Sequence, residues 1–231
     1  MAILSFSNSD RLYWLGRYSE RVYTTLRSFA KHFDTMIDLK PEEYADFCKK
    51  QDIPNIYTSK EDFSRRYCFD ENDPNSIYSN LMRAYDNAIV LREEIGSETL
   101  AYIQLAVYAM NKAKISDAPL LELQKVVDNI AAFWGMADDR IDEANVRSII
   151  KLGKRVERID LYARMNASPD EIRREIHRLS ARVPQTGLKY SASVIVHLNY
   201  MAAKTELDYP TIVKEVESLI DFTEIRPVIG L

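Results

Sequence analysis

Apolar residues recur at helical spacing along nearly the whole chain. Ser9 or Asp10 is placed to cap a first helix whose Leu12, Leu15, Val22, Leu26, Phe29 and Phe33 share a stripe and which runs to about Asp38, before Pro41. Residues 41–73 are less regular and predict two short helices, around Glu42–Lys50 and Ser59–Tyr67, separated by Pro54. Asp73-Pro74 reads as an N-cap followed by proline at the first helical position. The helix it opens carries Ile77, Leu81, Ala84, Tyr85, Ala88 and Ile95, is kinked at Gly96, and continues over Leu100–Met110.

Asp117-Ala118-Pro119 starts another helix, with Leu120, Leu123, Val127, Ile130 and Trp134 on one side. Residues 144–165 form the next. Ser168-Pro169-Asp170-Glu171 combines a capping box with proline at the first position, Pro184 ends that helix, and Lys189–Ala203 forms one more. A last helix runs from Tyr209-Pro210 to near Phe222. Only the tail Ile225–Leu231 could be read as a strand. The pattern predicts an all-α bundle of about seven or eight helices, one domain over residues 1–231 with the helices of 168–222 at its C-terminal end.

Composition removes several functional classes. The chain of 231 residues has six glycines, and none stands close to another, so no phosphate-cradling glycine loop can be written. Cys48 and Cys68 make no CxxC pair and read as reduced thiols. A net charge of −4 argues against a nucleic-acid groove. No run approaches the roughly 20 apolar residues of a membrane span, and the start MAILSFSNSD lacks the basic region of a signal peptide. Cytoplasmic residence is the expectation.

The informative feature is an echo. Residues 15–27 read LGRYSERVYTTLR and residues 152–164 read LGKRVERIDLYAR. Leu15, Gly16, Glu20, Arg21 and Arg27 recur as Leu152, Gly153, Glu157, Arg158 and Arg164, and Arg17 recurs as Lys154. A glycine inside a helix costs about 1 kcal/mol relative to alanine, which points to close backbone approach. The repeated LGxxxER therefore predicts two helices crossing at Gly16 and Gly153 by pseudo-twofold symmetry. Glu20 would pair with Arg158, and Glu157 with Arg21. Glu20 and Glu157 lie off the apolar stripes of their helices, so each helix is expected to carry a second, polar face.

LYWLGRYSER, the later LGKRVER and the string NAIVLREEIGSE at residues 87–98 together resemble the alpha-E family, bacterial all-helical proteins named for their helices and an E-R motif. The resemblance covers most of residues 8–165. The chain has Val22-Tyr23 where the first E-R of the family is often followed by Ala-Glu, and Thr99-Leu100 where the central motif commonly continues into Met-Trp. The resemblance implies the company of circularly permuted ATP-grasp proteins and transglutaminase-like hydrolases, and hence peptide or amide-bond metabolism.

On the central helix Arg83, Asn87, Glu94 and Glu98 fall on one stripe, which with the two E-R pairs could converge on one polar centre. Such a centre suits a peptide or amino acid, with Arg21 and Arg158 on its carboxylate and Glu98 or Glu20 on its amine. The same residues suit an internal salt-bridge network that needs no ligand. An enzyme reading would give Glu20, Glu157 and Glu98 acid/base work on an amide or amine. A structural dimerisation module is the third reading, and a homo-oligomer is compatible with all of them. Tyr13 and Trp14 either line the pocket or pack in the core.

Asp138-Asp139-Arg140-Ile141-Asp142 matches the DDxxD of helical isoprenoid synthases, but no second metal motif is present and the run reads as the acidic start of a helix. His32, His177 and His197 have no glutamate three residues before them, so the Glu-x-x-His pairs of di-iron bundles are missing. No metal and no cofactor is expected.

Overall fold

The computed structural model describes residues 4–38, 43–220 and 222, with side chains described up to residue 28 and again from residue 43. Among them are eleven α-helices: α1 (Phe6–Asp38), α2 (Glu43–Gln51), α3 (Lys60–Phe69), α4 (Ile77–Val90), α5 (Arg92–Ile95), α6 (Ser97–Lys114), α7 (Pro119–Arg140), α8 (Ala144–Arg164), α9 (Pro169–Arg182), α10 (Ala192–Ala202) and α11 (Tyr209–Glu217). A 3-10 turn over Val183–Gln185 carries Pro184. The described residues hold no strand, only one antiparallel bridge between Tyr190 and Ile220. The tail Ile225–Leu231 and the side chains of Phe29, His32 and Phe33 lie outside the described residues.

Capping side chains set several helix starts, two of them away from the expected positions. Ser168 and Glu171 form the expected capping box. The first helix starts at Phe6 rather than at Ser9 or Asp10, because the Ser5 hydroxyl already accepts from the Asn8 amide at 3.1 Å. Helix α4 starts at Ile77 on the Ser76 cap, since Asp73 is committed elsewhere. Its two carboxylate oxygens accept from the Asn75 amide and from the Tyr57 hydroxyl, each at 2.8 Å.

The helix count exceeds seven or eight because the short helices α2 and α3 both form and the long central helix is broken twice. Leu91 leaves helical geometry at ψ 15°, and Gly96 adopts φ +79°, a left-handed value that glycine tolerates without strain. The acidic run is also corrected. Helix α7 extends through Arg140, so Asp138 and Asp139 lie in its last turn, where Lys151 pairs with Asp138 and Arg140 with Asp139. Among the described residues no group of His, Cys, Asp and Glu could hold a metal ion, and no helix is long and apolar enough to cross a membrane.

One contiguous apolar core draws on nearly every helix, and Cys48 and Cys68 are buried in it. At its centre α8 packs against α1 more extensively than any other two helices pack. Helix α8 also touches α9 and α11, and it buries residues on nearly every side, from Val146 to Ala163. Phe222 packs on α1, its ring 5.7 Å from that of Phe6 and 5.3 Å from that of Tyr13.

Candidate functional site

Helices α1 and α8 meet backbone to backbone. A Cβ added to Gly16 would collide with the carbonyl oxygen of Ile150, and one added to Gly153 with the carbonyl oxygen of Tyr13. The contact is reciprocal, each glycine seated on the carbonyl three residues before the other. Only hydrogen at both Cα atoms allows that approach.

The close approach also sets the chemistry of the next helical turn. Side chains four and five residues beyond each glycine project into the seam between the helices. Glu157 accepts from Arg17 Nε at 2.7 Å and from Arg21 Nε, so both of its oxygens are held by α1. Glu20 accepts from Arg158 Nε at 2.5 Å, and the Thr24 hydroxyl donates to the same oxygen at 2.9 Å. Glu20 is 0% exposed and Glu157 1%. The polar face expected beside the apolar stripe is therefore interior, because α1 and α8 are covered on both sides.

The electrostatics reflect that burial. Desolvation alone would raise the Glu157 carboxyl, but Arg17 and Arg21 outweigh it and hold the group below its ordinary value. Arg17, which burial alone would lower, is kept above its usual value mainly by Glu157. The other half is less complete. Lys154, at the position matching Arg17, lies 3.9 Å from the centre of the Trp134 ring, and the second oxygen of Glu20 is buried with no hydrogen-bond partner. Burial, reinforced by Arg158, Arg155 and Lys151, pushes Lys154 down to about 7 against the pull of Glu20.

A second layer surrounds the centre. Glu175 of α9, 2% exposed, accepts from Arg155 at 2.6 Å and Arg178 at 2.9 Å, and lies 3.8 Å from Arg158. Asp160 of α8, 1% exposed, accepts from Arg164 at 2.9 Å, and Arg164 continues to Glu217 at 3.1 Å. Burial and the nearby charge of Glu157 push Asp160 up to about 6, with Arg164 and Arg17 opposing. Asp160 and Arg164 wall a polar cleft of about 210 Å³ together with Arg21, Thr25, Tyr67 and Glu217.

The structure thus gathers Arg17, Glu20, Arg21, Lys154, Glu157 and Arg158, and sets Arg164 one layer out. Tyr13 is buried, and Arg17 lies 5.0 Å from the ring centre of Trp14, so these aromatics cover the ion pairs. The central motif does not converge with them. With the helix broken at Leu91 and Gly96, Arg83 and Asn87 belong to α4, Glu94 to α5 and Glu98 to α6, and no common stripe exists. Arg83 donates to the Pro74 carbonyl at 2.7 Å, and it reaches the centre only across the Tyr18 ring. Asn87 accepts from Arg11 at 3.2 Å and Glu94 from Asn8, which makes these two a seam with the start of α1. Glu98 stands in solvent against Arg140 at 3.1 Å, and Arg27 lies over the ring of Tyr23 at 5.5 Å.

Sequence reasoning missed Asp160 and Glu175. Asp160 had a signal, since it stands three residues after Glu157 and between Ile159 and Leu161. Glu175 had none, because DEIRREIHR reads as a solvated face.

Among known proteins, the Alpha-E family model, described as a predicted alpha-helical domain with a conserved ER motif, matches residues 8–205. No curated protein and no solved structure matches the chain. Its two Glu-Arg dipeptides, Glu20-Arg21 and Glu157-Arg158, are the residues that close the α1–α8 crossing. The chain belongs to the Alpha-E family.

Proposed function

We propose that the chain is a non-catalytic helical component of an ATP-grasp-linked system that forms peptide or amide bonds, and that its Glu/Arg centre is an internal lock rather than an acid/base site. The observation behind this is the state of the three glutamates. Glu157 has both oxygens on arginines, Glu20 is sealed from solvent, and Glu98 is exposed and remote from both. An acid/base residue must reach a substrate proton, directly or through one water. Neither buried glutamate borders the cleft. The ATP-grasp association rests on the resemblance of the three motifs, and binding a peptide, an amino acid or the partner protein is the role left to the surface.

Co-expression of the tagged chain with the circularly permuted ATP-grasp protein and the transglutaminase-like hydrolase of the same genome tests this. The ATP-grasp protein is expected to co-purify, and the isolated chain to leave peptide amides intact. Failure of the ATP-grasp protein to co-purify in every nucleotide state would overturn the reading. So would amide turnover by the isolated chain that disappears in Glu98→Gln.

A further inference from the structure

The buried ionic network borders a polar cleft. Walls from α1, α3, α8 and α11 enclose about 210 Å³. At roughly 30 Å³ per water, that volume holds about seven waters, enough for one amino-acid unit and too little for a folded segment.

Two groups in the wall keep bonding capacity that the protein does not use. Asp160 takes its hydrogen bond from Arg164 on Oδ1, and its Oδ2 receives none among the described residues although the side chain is 1% exposed. Arg21 gives Nε to Glu157, and its two terminal nitrogens bond to nothing among the described residues. A carboxylate oxygen that opens on a cleft without a protein partner is free to take an N–H donor. The charge balance says which kind. Two cations, Arg21 and Arg164, line the cleft against three carboxylates, Asp52, Asp160 and Glu217, so a positively charged donor fits best. The free nitrogens of Arg21 call in turn for an oxygen acceptor.

An ammonium and an acceptor oxygen on neighbouring carbons are what the main chain of an α-amino acid presents. We propose that this cleft binds an α-ammonium group with its adjacent carbonyl or carboxylate oxygen, the ammonium on Asp160 and the oxygen on Arg21. This names the ligand of the binding component proposed above and rests on that reading. The raised Asp160 agrees with it, because burial and the charge of Glu157 outweigh Arg164 there and an arriving cation would offset them. A free amino acid and the amino end of a peptide share this chemistry.

Titration of the isotope-labelled full-length chain at neutral pH, followed by NMR shifts, separates these sources with tri-alanine, L-alanine and N-acetyl-tri-alanine as probes. Tri-alanine is expected to shift resonances around Asp160, Arg164 and Thr25. Acetylation, which removes the ammonium, and Asp160→Asn are each expected to weaken binding at least tenfold. Glu217→Gln, an isosteric change at a half-exposed position, is expected to keep the fold and to weaken binding several-fold. Tighter binding of tri-alanine than of L-alanine identifies a peptide amino end, and the reverse a free amino acid. Equal binding of the acetylated peptide, no effect of Glu217→Gln, or no shift with any probe overturns the proposal. Partner capture does not need the cleft. A chain that binds tri-alanine but captures no ATP-grasp protein therefore sinks the accessory reading alone, and the converse result sinks the cleft alone.

Discussion

Gly16 and Gly153 are where one added methyl group meets the most resistance. Each would drive a Cβ into a backbone carbonyl of the opposite helix, which no rotamer change relieves. Gly16→Ala is expected to cost about 3 kcal/mol or more, at the upper end of overpacking effects. Gly135, in the middle of α7 with nothing within 4 Å of a Cβ, is the contrast. There alanine is expected to be neutral or to stabilise by up to about 1 kcal/mol, and urea unfolding of both variants reads the difference. Asp160 makes a pH prediction of opposite sign to an ordinary paired carboxylate. Its pKa in the folded chain, about 6, exceeds the ordinary 3.8. The folded state therefore binds the proton more tightly, and stability falls as pH rises through that window. Asp160→Asn removes this cost, at most about 3 kcal/mol. The variant should melt higher than the parent at pH 7.5, with the gain shrinking toward pH 4. Glu157 runs the other way: its contribution is present above its unfolded value and fades in acid.

Helices α1 and α8 act as one unit because neither can keep its buried charges alone. Removing one partner of a buried pair strands the other at about 3–5 kcal/mol, whereas replacing both by apolar groups of like volume is often neutral. Glu157→Leu is therefore expected to be strongly destabilising by itself and less so together with Arg17→Met, since the remaining partner Arg21 is partly exposed to water, and a double-mutant cycle in chemical denaturant measures the coupling. Much of this unit was legible in the sequence. Glycine followed by glutamate and arginine at fixed spacing, on two long amphipathic stretches, marks close helix contact, and the arginine–glutamate partners could be written from that alone. The break at Leu91 could not, because nothing in NAIVLREEIGSE stops a helix before Gly96. Glu98 was misplaced for that reason. The burial of Glu20 and Glu157 was hidden too, since one helix shows two faces in sequence whether or not a second layer covers the polar one. Here α9 and α11 supply that cover for α8, and no local pattern in α1 or α8 announces it.

Across the molecule these acidic groups fall into two classes, with Glu20, Glu157, Glu175 and Asp160 buried and Glu98 in solvent. Of the buried four only Asp160 borders the polar cleft, which separates what holds the fold from what is placed to meet a ligand. Large apolar side chains also reach the surface, among them Ile89, Val90, Leu105, Tyr108, Val196 and Tyr200. Scattered residues of this kind are ordinary on folded proteins and assign no partner. Length and polarity told of a helical bundle, but only the three-dimensional arrangement shows α8 as its axis. The crossing at that axis carries a consequence for the order of events during synthesis. Glu20 and its partner Arg158 stand 138 positions apart, so α1 leaves the ribosome long before the helix it must meet. Until then Arg17 and Glu20 stay in water and the glycine contact has nothing to sit on. The first helix therefore waits, and the fold closes only when the second Glu-Arg dipeptide has been made.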